Sequence, residues 1–184
     1  MYISELQHGK PADLTGRLPA EAACYAMLDR LGIEYDRVDH DEAATLEACA
    51  AVDVALGTEI CKNLFLCNRQ KTQFYLLLLE GSKVFKTKYL SAQLGCARLS
   101  FASPEDMTEL LGVTPGSATV LALMNDPNGA VQLVIDRPVT RSPFIGCHPC
   151  KNTSSLKLRT EDVLERFLPA VGHAPIFVEL PDEE

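Results

Sequence analysis

Two apolar runs, residues 60–67 and 74–79, are separated by the polar stretch 68–71. Runs of this length with almost no polar residues are typical of strands buried on both faces, and the short polar interval predicts a β-hairpin. Strands buried on both faces need other elements packed over each side of the sheet. This pair of runs therefore constrains the fold more than any other part of the sequence.

Helix signals surround the hairpin and indicate what packs over it. Thr45 and Ser103 are placed to cap helices, and Gly32, Gly57 and Gly112 to end them. The predicted helices cover residues 19–31, 46–56, 88–94, 104–111 and 160–168, the last capped by Thr160. Further strands are predicted at 34–39, 118–124, 131–135 and 176–178, with 118–124 and 131–135 joined as a second hairpin through Asn128-Gly129.

Hairpins mixed with helices, without strict alternation of strand and helix, indicate an α+β fold. We expect a mixed, mostly antiparallel sheet flanked by helices. The 184 residues suit a single domain with a core at about 19–178.

Composition excludes several classes of protein. Hydrophobic residues make up 47% and charged residues 23%, which is typical of a folded globular chain. No apolar run approaches the roughly 18 residues of a membrane span, and the first residues do not resemble a secretory signal. Seven cysteines without an export signal favour reduced thiols. We therefore expect a soluble cytoplasmic protein with no membrane partner.

The net charge of −8 argues against a protein that coats DNA or RNA nonspecifically, and no DNA partner is expected. Residues 61–100, however, carry seven basic side chains and one acidic, whereas the flanking parts carry net charges of −8 and −6. This basic segment is either the solvated edge of a sheet or a footprint for a few phosphates. Charge alone leaves both interpretations open.

Lys62 lies in the otherwise apolar run and must reach solvent or meet an anion. It is either a lysine that extends to the surface or a cation directed into a cleft, where it would hold a phosphate or carboxylate. The stretch 112–117 is either an ordinary helix stop and turn or a nest of amide donors. In the second case the N–H groups of Gly116, Ser117 and Ala118 would stabilise the oxyanion of an attacked ester, since Pro115 has no N–H.

The segment Cys147-His148-Pro149-Cys150 raises the possibility of a redox dithiol or a zinc site. The run after Cys150 is typical of a strand, whereas a redox dithiol requires a helix. A zinc site would need two further ligands, and Cys61 and Cys67 have an atypical spacing. We expect no metal and no cofactor.

Several motifs occur in an order that is similar to one known family. These are 61–66 around Lys62, then Lys83, the turn 111–117, the stretch 121–126, and His148-Pro149 with Asn152-Thr153. The sequence resembles the YbaK/prolyl-tRNA-synthetase-associated domain family over residues 19–178, and within it the free-standing alanyl-tRNA(Pro) deacylases of the PrdX or ProX type. The resemblance implies an α+β fold and hydrolysis, in trans, of alanine wrongly esterified to tRNA(Pro).

The resemblance also implies which residues form the site. The family lysine corresponds to Lys62, its G-x-x-P loop to Gly112 and Pro115, and its H-P-x-x-N-T segment to His148, Asn152 and Thr153. His40 and Thr45 match a stretch before the second helix. Cys147 and Cys150 depart from the family pattern, which leaves the amino-acid preference open. The predicted catalytic residues are Lys62, Gly112, Pro115, Gly116, Ser117 and His148, and the predicted substrate-binding residues are His40, Thr45, Asn63, Asn152 and Thr153.

The expected mechanism positions water and the ester, with Lys62 on the terminal adenosine and amides of the turn on the carbonyl oxygen. The expected partners are the acceptor end of tRNA(Pro) and prolyl-tRNA synthetase. Two alternatives remain. One is a deacylase of the YbaK branch acting on cysteinyl-tRNA(Pro), and the other is a non-catalytic module that binds tRNA or the synthetase.

Overall fold

A computed structural model describes residues 1–183. Its strands and helices confirm the predicted α+β class. The strands are β1 (Gln7–His8), β2 (Tyr35–Asp39), β3 (Lys62–Cys67), β4 (Phe74–Leu79), β5 (Ser100–Phe101), β6 (Val131–Asp136), β7 (Phe144–Cys147), β8 (Ser154–Arg159) and β9 (Ile176–Val178). The helices are α1 (Pro19–Arg30), α2 (Leu46–Leu56), α3 (Thr87–Leu94), α4 (Pro104–Leu111), a 3-10 helix (Val120–Asn125), α5 (Arg137–Arg141), α6 (Thr160–Asp162), a π-helical turn (Val163–Phe167) and α7 (Leu168–Val171).

The strands form two sheets. The first sheet is antiparallel with the order β1-β2-β8-β7, and the second has the order β5-β3-β4-β6-β9. The predicted hairpin is confirmed, because β3 and β4 pair antiparallel from Lys62 opposite Leu79 to Cys67 opposite Phe74. β6 pairs parallel with both β4 and β9.

The two sheets meet at the beginning of β3. Ile60 forms a parallel bridge with Gly146, and the Cys61 N–H donates to the Gly146 carbonyl at 2.9 Å. A Cβ atom on Gly146 would lie 2.6 Å from the Glu59 carbonyl oxygen, so this approach requires glycine. The contact places Lys62 close to the end of β7, which His148 follows.

Each face of the second sheet belongs to a different core. Phe65 and Leu76 face the larger core, which also contains Tyr35 and Leu156 of the first sheet. Leu66 and Leu77, on the opposite face, pack with Leu90 of α3. This alternation is the period of two that a strand imposes, and it explains why both apolar runs lack polar residues.

The predicted hairpin of 118–124 with 131–135 is wrong. Residues 120–125 form the 3-10 helix, whose first turn is capped by the Thr119 hydroxyl accepting from the Leu121 N–H at 3.3 Å. Val120 through Leu123 are all buried, so the run shows no periodicity that separates strand from helix. The Asn128-Gly129 turn leads instead into β6, which pairs with β4.

The predicted cap of the last helix is also wrong. The Thr160 hydroxyl donates to the Ser142 carbonyl at 2.6 Å, and Arg159 takes the cap position. The helix continues past Leu168 through α7 to Gly172, whose φ of 74° ends it. The caps predicted at Thr45 and Ser103 are confirmed, since each hydroxyl accepts an N–H three residues ahead. Within residues 1–183, no helix combines the length and apolar character required to cross a membrane.

Candidate active site

Two cavities adjoin where the sheets meet. Cavity A has a volume of about 450 Å³ and lies between α2 and the start of β3, and cavity B has a volume of about 340 Å³ and lies against β3 and α4. Lys62, Gly116 and His148 line both cavities. The structure thus brings together three predicted site residues from three separate parts of the chain.

Lys62 is held along the wall between the cavities. Its ammonium donates to the Lys83 carbonyl oxygen at 2.6 Å. That carbonyl is fixed in turn, because the buried Lys83 ammonium donates to Asp136 at 2.7 Å and to the Leu180 carbonyl at 2.8 Å. No carboxylate of the described residues pairs with Lys62. An ammonium group has three donors, so Lys62 keeps two for a ligand.

The predicted turn divides into residues that line the site and residues that support it. Pro115 lines cavity B and Gly116 lines both cavities, whereas Gly112 lines neither and ends α4 with a φ of 66°. Ser117 is buried, and its hydroxyl accepts the Asn152 N–H at 3.1 Å.

The amide donors of this turn are also fewer than predicted. The Ser117 N–H donates to the Thr114 carbonyl at 3.0 Å and is occupied within the turn. Among the described residues, the Gly116 and Ala118 N–H groups have no acceptor. Two of the three predicted amides are therefore available to an oxyanion.

Two asparagine side chains on the cavity walls have buried carbonyl oxygens without a hydrogen-bond donor among the described residues. They are Asn152 Oδ1 in cavity A and Asn63 Oδ1 in cavity B. A buried oxygen left without a donor costs about 1–3 kcal/mol. Both oxygens have almost no accessible surface, so a donor of a ligand reaches either one only when its amide group turns toward the cavity.

His40 and His148 are linked through Ser155. His40 Nδ1–H donates to the Asp41 carbonyl at 2.7 Å, and its Nε2 accepts from the Ser155 hydroxyl at 2.8 Å. His148 Nδ1–H donates to the Ser154 carbonyl at 2.8 Å and lies 3.3 Å from the Ser155 oxygen. A carbonyl can only accept, so Nδ1 of each ring carries a proton. In the neutral ring, His148 Nε2 is then an unprotonated acceptor on the side turned away from Ser154.

Burial lowers the pKa of His148 below its ordinary value, and this pKa is lowered further because a positive charge on the nearby His40 would disfavour a second one on His148. The hydrogen bond to the Ser154 carbonyl opposes these effects without cancelling them. His148 is therefore neutral at pH 7 and offers Nε2 as a base or hydrogen-bond acceptor.

Two predicted substrate-binding residues lie outside both cavities. The Thr45 hydroxyl accepts the Ala48 N–H at 3.1 Å as the N-cap of α2. The Thr153 carbonyl accepts the His40 N–H at 2.9 Å. In the structure these threonines position α2 and His40, and neither lines cavity A or cavity B.

Sequence reasoning missed the part of cavity A that α2 contributes. Leu46, Cys49, Ala50 and Asp53 line this cavity from one face of the helix, with Glu59 beside them. Their spacing of three and four residues is the available signal, because it places all four on one side of a helix.

A buried charge network behind the site was missed as well. Asp39 accepts two hydrogen bonds from Arg17, at 2.9 and 3.0 Å, one from Arg37, and one from the Ser154 hydroxyl at 2.6 Å. Burial alone would raise the pKa of Asp39, but the hydrogen bonds from Arg17, Ser154 and Arg37 hold this pKa well below its usual range. The network fixes Ser154, whose carbonyl orients His148.

Cys147 and Cys150 are buried, and Cys150 Sγ lies 3.3 Å from Cys24 Sγ. Burial raises the pKa of the Cys147 thiol, which disfavours the thiolate that redox chemistry needs. Residues 1–183 contain no group of three or more His, Cys, Asp or Glu side chains arranged to hold a metal ion.

The sequence was compared with models of protein families and with curated proteins. The model of the aminoacyl-tRNA editing domain family matches residues 40–165. The chain is 31% identical over 163 residues to the prolyl-tRNA editing protein ProX of Acetoanaerobium sticklandii, covering 89% of this chain and 99% of that protein. It is 32% identical over 153 residues to prolyl-tRNA synthetase associated domain-containing protein 1 of Danio rerio, covering 82% of each.

A solved structure agrees at the level of the fold. It is the crystal structure of a proposed trans-editing enzyme for prolyl tRNA synthetase, with a TM-score of 0.65 and 18% identity, covering 91% of this chain and 99% of that one.

Proposed function

Because the chain belongs to the aminoacyl-tRNA editing domain family, we propose that it is a deacylase that removes alanine wrongly attached to tRNA(Pro), acting in trans to prolyl-tRNA synthetase. The observation that carries the proposal is the meeting of Lys62, Gly116 and His148 where two cavities of different chemistry join. A cation, a free amide and a neutral imidazole at one point suit an ester whose two halves lie in the two cavities. Prolyl-tRNA synthetase is the proposed partner, and the cytoplasm, where tRNA is charged, is the proposed location.

Cavity A suits the amino-acid half of the ester. Its wall combines apolar side chains such as Leu46 and Ile60 with the carboxylates of Asp53 and Glu59. Apolar walls accept a small side chain, and carboxylates attract the α-ammonium group of an aminoacyl ester. The Asp53 carboxylate is held in place, because it accepts the Ile60 N–H at 3.0 Å.

Cavity B suits the terminal adenosine. Phe65, Phe101 and Met107 provide apolar surface for the base, and base–aromatic contact is worth about 1–3 kcal/mol in nucleic-acid binding. The Asn63 side chain adds a polar amide group to this lining. Lys62, between the cavities, reaches a phosphate or ribose oxygen of this nucleotide.

Hydrolysis then requires water and a place for negative charge. Water attacks the ester carbonyl carbon, and the oxygen that becomes negative accepts the Gly116 N–H, with the Ala118 N–H as a second donor. His148 Nε2 accepts a hydrogen bond from the water or from the neighbouring ribose hydroxyl. The proton passes to the departing ribose 3′ oxygen, so the products are free alanine and uncharged tRNA.

The volume of cavity A, about 450 Å³, exceeds what alanine, cysteine or proline needs. Size alone therefore does not select among these amino acids, and cysteinyl-tRNA(Pro) is kept as the second candidate substrate.

The experiment that tests the proposal measures release of labelled amino acid from alanyl-, cysteinyl- and prolyl-tRNA(Pro). We expect fast release of alanine and retention of proline. Faster release of cysteine would assign the chain to the second candidate. Binding of tRNA without release from any of the three would identify a non-catalytic module and overturn the proposal.

Gly116→Ala is expected to lower kcat/KM for alanyl-tRNA(Pro) roughly 10–100-fold. Gly116 has a φ of 86°, and a Cβ atom there would lie 3.3 Å from Asn152 Nδ2. The added atom disturbs the amide donor and Asn152 together, and displacements of about 1 Å at a site can cost about 10² in rate. Single-turnover deacylation with purified variant measures the effect.

Gly129→Ala is the matched control. Gly129 has a φ of 68° and no atom within 4 Å of a built Cβ, so it carries the same backbone strain of roughly 1–2 kcal/mol without a neighbour. Equal losses of activity in both variants would mean that strain alone, and not the site, explains the Gly116 result.

As the pH is lowered, kcat/KM is expected to stay constant past pH 6.5 and to decrease only at lower pH. His148 acts as an acceptor only when neutral, and its pKa is lowered, so the neutral form persists at pH values where an ordinary histidine is protonated. His148→Gln is expected to remove this acidic limb and to lower kcat/KM roughly a hundredfold at pH 7.5. An unchanged limb in the variant would exclude His148 as the titrating group.

A further inference from the structure

A surface groove of about 740 Å³ runs along the start of α3 and past β5. Lys86, Lys88 and Arg98 supply its charge, and Phe85 and Phe101 supply its apolar surface; together these residues define the basic groove. The three cations and Phe101 are exposed. The three cations belong to the basic segment 61–100, and Phe101 is the residue that follows this segment.

The basic groove and cavity B share one lining residue, Phe101 of the edge strand β5. Phe101 is 62% exposed and meets the edge of the Phe85 ring with 6.4 Å between ring centroids. The exposed ring of Phe101, packed edge-to-face against the half-buried Phe85, offers an aromatic face next to the cavity that suits adenosine.

Charge distinguishes this exit from the others. The far wall of cavity A carries Asp53 and Glu59. In a cleft beside His40, Glu21 and Asp39 are balanced by Arg17 and Lys151. The lining of the basic groove contains cations and no acidic residue, so it is the side on which a chain of phosphates meets net positive charge.

We propose that the basic groove binds the single-stranded acceptor end of the tRNA substrate. The phosphates that precede the terminal adenosine lie on Lys86, Lys88 and Arg98, and a base stacks on Phe101. This proposal rests on the proposed deacylase function and adds the path that the RNA takes to the site.

A carboxylate of the chain itself already contacts the groove. Glu183 Oε2 lies 2.5 Å from the Lys86 ammonium, and the Tyr89 hydroxyl donates to the same carboxylate. Binding of RNA then exchanges this carboxylate for a phosphate at Lys86. Removing the Glu183 charge should free Lys86 and strengthen RNA binding.

The test compares two substrates that share the ester and differ in the RNA. These are alanyl-tRNA(Pro) and 3′-O-alanyl-adenosine. Lys88→Gln combined with Arg98→Gln is expected to raise KM for the tRNA at least tenfold at 0.15 M salt and to leave the short ester unaffected. Each phosphate contact on a single strand contributes roughly 0.7 to the slope of log KM against log salt. Loss of two contacts should therefore reduce this slope for the tRNA by about 1.4.

Arg159→Gln is the matched control for loss of charge. Arg159 is exposed at the end of β8, and the opposite end of that strand, Ser154, contacts His148. Five residues of strand separate the two ends by about 17 Å. This variant is expected to leave both substrates unchanged.

The outcomes separate this proposal from the proposed function. Equal effects of the double substitution on both substrates, or no effect on either, would overturn the basic groove as an RNA site. If the unaltered protein hydrolyses neither substrate, the deacylase function fails, and direct binding of uncharged tRNA(Pro) decides the groove. In that measurement the double variant should bind at least tenfold more weakly and Glu183→Gln about twofold more tightly; equal binding by all three proteins would contradict the proposal.

Discussion

Replacing Lys62 with methionine is expected to lower kcat/KM for alanyl-tRNA(Pro) about 10³-fold while the protein stays folded. Lys62 is the one cationic residue that lines both cavities of the described chain, and no other side chain there can take its place. Removal of one preorganised donor from an active site costs about 10²–10³ in rate. Deacylation under single-turnover conditions, with circular dichroism as the check on folding, measures the effect.

Methionine preserves most of the Lys62 side-chain volume, so the expected cost to folding is limited to the hydrogen bond with the Lys83 carbonyl. A hydrogen bond of this kind contributes about 0.5–1.5 kcal/mol. Lys71→Met is the matched control, because Lys71 lies at the tip of the β3–β4 hairpin and pairs with Asp106 at 2.9 Å. Full activity in the Lys62 variant would remove the central assignment of the site.

Asp39→Ala is expected to lower the free energy of unfolding by about 3 kcal/mol. The substitution leaves Arg17 and the nearly buried Arg37 without the carboxylate that pairs with both. Breaking a buried ion pair costs about 3–5 kcal/mol, and the lower end applies because the Asp39 side chain is 22% exposed. Urea denaturation followed by circular dichroism measures the difference.

The pH dependence of the Asp39 effect has a definite sign. The pKa of Asp39 is lower in the folded state than in the unfolded state, so its contribution to stability is complete above an unfolded pKa of about 3.9. The contribution decreases as the pH falls below that value toward the folded pKa. The difference between the native protein and Asp39→Ala should therefore shrink below about pH 4.

Asp36→Ala is the control on the same strand. Asp36 forms an exposed pair with His8 at 3.0 Å, and pairs of this kind contribute about 0–1 kcal/mol. A loss from Asp36→Ala as large as that from Asp39→Ala would mean that β2 tolerates no substitution, and it would contradict the role assigned to the buried network.

Parts of the fold were predictable because the signals are local. The caps at Thr45 and Ser103 involve an N–H three residues away, and the hairpin of β3 and β4 needs only a short turn. The run 118–124 was not predictable in the same way, because a short apolar segment buried on all sides has no periodicity. Its 3-10 conformation depends on the core around it.

The site residues also differ in whether a local signal in the sequence identifies them. Lys62 was identifiable because a cation in an apolar strand must meet water or an anion. Gly112 and Gly116 look alike in sequence, yet only Gly116 lines the cavities. Asp39 gave no signal, since its partners Arg17 and Ser154 lie 22 and 115 residues away.

The amino-acid sequence by itself determined the class of fold, most of the helices and the residue types capable of ester chemistry. These depend on interactions within a few positions of the chain and on which side chains avoid water. Only the tertiary structure decided that Lys62, Gly116 and His148 meet, because their meeting requires the bridge between Ile60 and Gly146. Contacts between segments so far apart form only when the two sheets pack together, and no local pattern encodes that packing.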